Sequence, residues 1–293
     1  MRWNSISLIG AGVLGGSLAL ALKRRQLATK VVACVRRDST LAECKRLQIA
    51  DVVTQNLKEA LLGSELVILC TPLSEMAKIA AEMGASLQNG AIVTDVGSVK
   101  GTVVRELEPL VQKAGGVFIG SHPMAGSEKT GVAAARAELF ENAICLVTPG
   151  RYSPLAAVAK VEDFWKAVGG IPLRLTPEAH DELVSRSSHL PHVVAAELAN
   201  YVLSPVHPKE QGLVCANGFR DTTRIAASSP EMWRDIALAN RQNLVRVLGV
   251  FIEDLQEFQL ALDRQDVTAV EEFFAKAKQR RDLWRAHSNA SPE

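Results

Sequence analysis

The stretch Gly10-Ala11-Gly12-Val13-Leu14-Gly15, with Gly16 behind it, joins an apolar run at residues 6–10 to an apolar-periodic segment at residues 13–24. A G-x-G-x-x-G turn between a strand and a helix constrains the fold strongly. The first glycine permits the tight turn, the second lets the backbone approach a pyrophosphate, and the third lets helix and strand pack closely. The unpaired amides of the helix N-terminus then face an anion. Dinucleotide binding is the expectation, with Gly10, Gly12, Val13, Leu14 and Gly15 at the contact. A tight turn without a ligand is the alternative.

The pattern around the loop agrees. Strand-like runs at residues 31–35, 66–70, 92–95 and 117–120 alternate with helical patterns at 41–47, 74–87 and 102–114. Two further strands are expected at 143–148 and 173–175, with a helix at 155–168 between them. Such alternation predicts parallel βαβ units and an α/β fold, a Rossmann-type doubly wound sheet. After Pro177 the strand signals stop. Residues 178–203, 230–262 and 267–285 are long and helix-periodic, interrupted by Pro205, Pro208 and the glycine-bearing segment 215–224. The expected organisation is a dinucleotide-binding domain over residues 1–176 and an all-helical domain over 177–293. Leu244, Val247, Leu248, Phe251, Leu255 and Phe258 form a stripe that suits either an internal core or a second copy of the chain.

Composition excludes several classes. With 33 basic and 32 acidic residues among 293, the net charge of +1 gives no electrostatic basis for nucleic-acid or anionic-membrane partners. No apolar run reaches the ~18 residues that span a bilayer. The opening MRWNSISLIG enters a strand pattern at once, without secretory architecture, so a cytoplasmic protein is expected. Cys34, Cys44, Cys70, Cys145 and Cys215 show no CxxC spacing, and three of them sit in apolar runs, as buried reduced thiols do.

The end of the second strand selects the dinucleotide. NAD sites place Asp or Glu there for the ribose 2′-hydroxyl. Here Val35 holds that place, and Arg36, Arg37, Ser39 and Thr40 follow. A guanidinium among hydroxyls suits a 2′-phosphate. NADP is therefore the preferred cofactor, with NAD also considered. A solvated arginine loop is the bland alternative. Thr71 and Pro72, after the third long strand, complete the expected cofactor contacts.

Ligands of open α/β sheets bind outside the carboxyl ends of the strands. Ser98, in DVGSVK, and His122, in GSHPMAG, both sit there and can converge on one substrate. Ser98 could equally cap the helix beyond it. His189 and His192, in SHLPH, stand three apart, but Pro191 distorts their shared face and no third metal ligand is evident, so no metal is expected. Both histidines also suit packing between helices. Asp95 reads as the end of a strand, and Trp233 as core.

GAGVLGGSLA, DVGSVK, GSHPMAGSEKTG, SHLPHVVA and GFRDTTRIA…PEMWRDI, in this order, resemble the prephenate/arogenate dehydrogenases of tyrosine biosynthesis over about residues 6–285. The resemblance implies oxidative decarboxylation of a cyclohexadienol, with hydride passing to NADP or NAD. It implies that His122 is the proton acceptor at the ring hydroxyl, a role suited to an imidazole at neutral pH. Ser98 would bond the hydroxyl or orient the imidazole, and Arg224 would grip the ring carboxylate. His192 would lie near the substrate side chain, with His189, Glu128, Arg220, Asp221 and Trp233 closing or bracing the pocket. A homodimer through the helical domain is implied, in a monofunctional chain without a fused mutase or C-terminal regulatory domain. One departure is Ala216-Asn217-Gly218, where the family more often carries a glycine pair. Two rivals remain. A β-hydroxyacid dehydrogenase would want a lysine in residues 178–203, which have none. A nucleotide-sensing protein without turnover would need only the glycine loop.

Overall fold

The computed structural model describes residues 2–126 and 129–289. Its first elements are β1 (Trp3–Ile9), α1 (Val13–Arg24), β2 (Ala28–Cys34), α2 (Asp38–Arg46), β3 (Val52–Thr54), α3 (Leu57–Leu61), β4 (Leu66–Leu69) and α4 (Leu73–Met83). They continue with β5 (Ile92–Asp95), α5 (Gly101–Lys113), β6 (Val117–Pro123), β7 (Ile144–Pro149), α6 (Leu155–Ala167) and β8 (Ile171–Arg174). One eight-stranded sheet results, in the order β3-β2-β1-β4-β5-β6-β7-β8. The pairs from β3 through β6 are all parallel, as expected of a doubly wound sheet. β7 pairs antiparallel with β6, and β8 parallel with β7.

Strand side chains alternate between two buried faces. Ile6, Leu8, Leu66 and Ile68 join Leu18, Leu22 and Trp165 in one core. Ile9, Val67 and Leu69 join Met76, Met83, Leu107 and Phe118 in the other. A sheet buried on both faces needs near-continuous apolar strands, which explains why these runs stood out in the sequence.

Four expectations change. The strand expected to stop at residue 120 runs on to Pro123, because β7 returns beside it and pairs His122 with Leu146. β3 and α3 carry too few residues to show a period. The helix expected over 178–203 is divided into α7 (Pro177–Val184), a π turn (Ser185–His189) and α8 (Leu190–Val202). Pro191 has no N–H for the Ser187 carbonyl one turn back, and the wider turn absorbs that defect. The glycine-bearing segment forms α9 (Asn217–Thr223), and the helix expected over 230–262 divides at Asn240 into α10 (Pro230–Ala239) and α11 (Arg241–Asp263). Helix α12 (Val267–Asn289) ends the described chain.

The chain forms two compact units, Met1–Arg241 and Gln242–Glu293. Within the second, Phe258 stacks on Phe273 at 4.3 Å between centroids, with Phe274 edge-on. Leu244 and Val247 of the expected stripe are buried, whereas Leu255 is exposed. All five cysteines are free thiols, three of them buried. No described helix is long and apolar enough to cross a membrane.

The glycines of the loop answer to different constraints. Gly10 has φ 102°, and a Cβ there would lie 2.6 Å from the Cys70 carbonyl oxygen. A Cβ on Gly15 would lie 2.0 Å from the Gly10 carbonyl oxygen, whereas one on Gly12 would meet nothing within 4 Å. Gly15→Ala therefore forces α1 off the turn and should cost on the order of 1–3 kcal/mol, several degrees of Tm. Gly12→Ala should melt close to the parent. Thermal denaturation of both variants checks this, and equal losses would contradict it.

Candidate active site

The carboxyl ends of β5 and β6 carry a buried polar cluster. Lys100 and Asp95 are both fully buried, and the Lys100 ammonium donates to the Asp95 carboxylate. Its second bond goes to the Ser121 carbonyl at 2.9 Å. Asp95 also accepts the N–H groups of Gly97 (2.8 Å) and Ser121 (3.0 Å). Asp95 thus ends a strand, as the sequence indicates, and its side chain also ties the β5 turn to the residue before His122.

His122, next along β6, is 8% exposed. Its Nδ1 lies 2.9 Å from Nε2 of His180, on α7. His180 Nδ1 lies 2.8 Å from Oδ1 of Asp181. A carboxylate only accepts, so His180 donates from Nδ1. Burial lowers the pKa of His180, and in the neutral ring Nε2 is then an acceptor. His122 must therefore donate from Nδ1, leaving a lone pair on its own Nε2. Burial also pushes His122 well below its ordinary 6.5, with His180, Lys100 and His189 acting in the same direction. The result is a neutral imidazole with one proton-accepting nitrogen.

His180 and Asp181 were not singled out from the sequence. Their partners lie 58 and 81 positions away, and only a His-Asp pair just after a Thr176-Pro177 helix start hinted at them. Asp181 also caps α5. Its oxygens accept the N–H groups of Lys100 (2.7 Å) and Gly101 (2.8 Å). The cap considered for Ser98 is therefore supplied by Asp181, since residue 100 rather than 98 precedes the helix.

The helical residues gather next to this cluster. His189, 1% exposed, ends the π turn, and His192 follows in α8. Trp233 of α10 stacks on His192 at 3.7 Å and meets His189 edge-on at 5.9 Å. Its indole Nε1 is buried without a hydrogen-bond partner among the described residues, so the core reading of this tryptophan is incomplete. His192 Nδ1 donates to the Ser188 carbonyl at 2.9 Å. Burial lowers the pKa of His192, and the nearby Arg224 guanidinium lowers it further. Burial brings His189 to about 4, against an upward pull from Asp181 and from the Ser98 backbone. Ser98, His122, His189, His192, Trp233 and Arg224 thus form one neighbourhood. Arg220 and Asp221 lie exposed on α9, and Glu128 lies outside the described residues.

At the other end of the strand edge, α1 starts at Gly12 with no side-chain cap and no acidic residue in its first turn. The Thr71 hydroxyl, beside Gly10, is buried without a partner among the described residues. An open backbone approach, uncapped amides and an orphaned hydroxyl together fit a phosphate-bearing ligand. Arg36 and Arg37 are exposed at the end of β2, Arg36 Nη1 lying 3.9 Å from Glu75, while Ser39 and Thr40 stand in the first turn of α2. Asp38 opens that helix and accepts from Gln55 at 3.0 Å. No group of three or more metal-ligating side chains occurs among the described residues.

Comparison with known proteins points in the same direction. Residues 18–172 match the family model "prephenate dehydrogenase, nucleotide-binding domain", and residues 176–276 match "prephenate dehydrogenase, dimerization domain". Cyclohexadienyl dehydrogenase of Zymomonas mobilis is 34% identical over 282 residues, 95% of each chain. Prephenate dehydrogenase of Aquifex aeolicus, solved with hydroxyphenyl propionate and NAD+, superposes with a TM-score of 0.89 at 30% identity, covering 97% of this chain and 99% of that one. Arogenate dehydrogenase of Synechocystis superposes with a TM-score of 0.80 at 28% identity, covering 96% and 99%.

Four neighbouring histidines with lowered pKa values have a measurable consequence. In the unfolded chain each titrates near 6.5. Below that pH the unfolded state binds more protons than the folded one, so stability is full above 6.5 and falls as the pH drops toward the folded values. Tm should decline from pH 7.5 to pH 5, and His122→Asn should flatten that decline. A Tm that stays level or rises over this range would contradict the neutral cluster.

Proposed function

The chain belongs to the prephenate dehydrogenase family, and on that premise we propose how its residues divide the work. It is an NAD(P)-dependent oxidoreductase of tyrosine biosynthesis, acting on prephenate, arogenate or both. The reaction oxidises the ring carbon that bears the hydroxyl, while the carboxylate on the opposite carbon leaves as CO2 and the ring becomes aromatic. The bound dinucleotide supplies the hydride acceptor.

His122 removes the hydroxyl proton through Nε2. The observation that carries this assignment is its tautomer: with Nδ1 donating to His180, Nε2 is the free acceptor. As the proton arrives, the imidazolium keeps its bond to His180, and His180 keeps its bond to Asp181. Ser98 bonds the same hydroxyl, and Arg224 holds the ring carboxylate with a permanent charge that cannot protonate it. His192, whose Nε2 is an acceptor when Nδ1 donates to Ser188, lies toward the substrate side chain. His189, Trp233, Arg220 and Asp221 border the pocket. Residues 1–176 hold the dinucleotide through Gly10, Gly12, Val13, Leu14, Gly15, Thr71 and Pro72. Residues 177–293 carry the substrate and the contacts of a homodimer.

NADP is the preferred form. Val35, the residue after β2, stands where an acid would bond the 2′-hydroxyl, and exposed Arg36, Arg37 and Ser39 with half-buried Thr40 offer groups for a 2′-phosphate. Asp38 starts α2 and is engaged by Gln55, which removes it from the strand end.

A two-by-two assay of prephenate and arogenate against NAD and NADP tests the reading. Turnover is expected with at least one substrate, and a higher kcat/KM with NADP. Arg36→Ala should lower the NADP value by about tenfold and spare that for NAD. His122→Asn should lose roughly 10²–10⁴ in kcat with substrate still bound, and Arg224→Ala should mainly raise KM. Absence of turnover with both substrates would overturn the function, and near-native kcat in His122→Asn would overturn the base.

A further inference from the structure

Asn240 stands at the break between α10 and α11 and is 4% exposed. Its Nδ2 donates to the Asp181 carbonyl at 2.8 Å. A carbonyl only accepts, so this bond decides which way the amide points: the NH2 faces Asp181. The same NH2 lies 3.1 Å from Nδ1 of His189. It can only donate, so Nδ1 of His189 is the unprotonated nitrogen. A neutral His189 therefore carries its proton on Nε2. That nitrogen is buried and makes no hydrogen bond of good geometry among the described residues, although the Ser98 backbone lies close enough to raise the pKa of the ring.

The groups around the ring are Asp181, His180 and His192, the Ser98 backbone and the edge of Trp233. His122 is close enough to feel its charge. A buried donor left without an acceptor costs about 1–3 kcal/mol. Such a group beside a candidate base suits an acceptor from outside the described residues, and a bound substrate oxygen is one.

We propose that Asn240 is a positioning residue that locks His189 as the Nε2–H tautomer, so that His189 donates a hydrogen bond to an oxygen of the bound cyclohexadiene substrate beside Ser98. The inference rests on the reading of this neighbourhood as the dehydrogenase active site. With the opposite tautomer, Nε2 would turn a lone pair toward the substrate oxygen and repel it. The amide can enforce the choice because the Asp181 carbonyl holds it in place. Asp181 also accepts from His180 Nδ1 through its carboxylate, so one residue aligns both histidine branches, one by its carbonyl and the other by its side chain.

The full-length protein labelled with 15N-histidine tests this by long-range 1H–15N NMR, with the His189 signal assigned from a His189→Gln variant. The wild type should show His189 as Nε2–H without substrate. Asn240→Asp, whose carboxylate accepts from Nδ1, should invert the tautomer. Asn240→Ala, which keeps no charge in the core, should give a mixture and raise KM for the turned-over substrate by roughly tenfold. KM for the dinucleotide should stay level. An Nδ1–H signal in the wild type, or an unchanged tautomer in both folded variants, would overturn the lock. A shifted tautomer with an unchanged substrate KM would overturn the donor role. If the wild type turns over neither substrate, the functional reading fails by itself, because the tautomer is read without turnover.

Discussion

The Asp181 carboxylate is the junction on which the rest of the site depends. It accepts N–H groups from Lys100, Gly101 and His180, all within 2.8 Å. The first two bonds start α5, a helix whose own preceding residue offers no side-chain cap. A carboxylate at a helix N-terminus is favoured both by the orphan amides and by the helix dipole. The third bond sets the tautomer of His180 and, through it, that of His122. A single side chain thus joins the helix behind β5 to the strand that carries the candidate base. Gly101 is needed at this junction, because a Cβ there would lie 2.8 Å from Asp181 Oδ2.

The buried Lys100–Asp95 pair contributes placement more than stability. Desolvating two charges typically consumes most of what their attraction returns, whereas removing one partner leaves an uncompensated buried charge. What the pair accomplishes is geometric. Lys100 grips the Ser121 carbonyl through its side chain and Asp181 through its backbone. Asp95 grips the Ser121 N–H from the other side. Ser121, the residue before His122, is therefore fixed at both its backbone polar groups, so the ring enters the cluster from a rigid strand. This is the arrangement expected where a hydrogen bond between two imidazoles must keep its direction.

Features written in short range were legible in the sequence. The glycine loop, the alternation of strands and helices, and the position of His122 and Ser98 at strand ends all follow from local pattern and one rule about open sheets. The orienting residues did not follow. His180 and Asp181 act across long separations, and in TPEAHDE only the adjacent His-Asp pair sets them apart from an ordinary helix start. Asn240 was hidden for another reason. The apolar period runs through it without a proline or glycine, and the break is made by a side chain reaching a carbonyl on another helix. The π turn was half legible: Pro191 announced a defect, but an extra residue in the turn, rather than a kink, accommodates it. β7 was seen as a strand, yet its direction, which extends β6 through His122, is a tertiary property.

Charge is divided between two kinds of side chain in this neighbourhood. Burial keeps the imidazoles of His122, His180, His189 and His192 neutral, and each is held to a directed hydrogen bond. Neutral rings can select tautomers, and hence can present an acceptor at one position and a donor at another. A protonated ring is a donor at both nitrogens and loses that distinction. An anionic substrate still needs a cation, and a guanidinium supplies one that stays charged at any working pH. Arg224 is exposed and disfavours protonation of the nearby His192. The arginine that would bind the substrate thus also helps keep its neighbouring histidine neutral. Binding charge and proton chemistry are assigned to different residues, and the direction of every histidine bond depends on that separation.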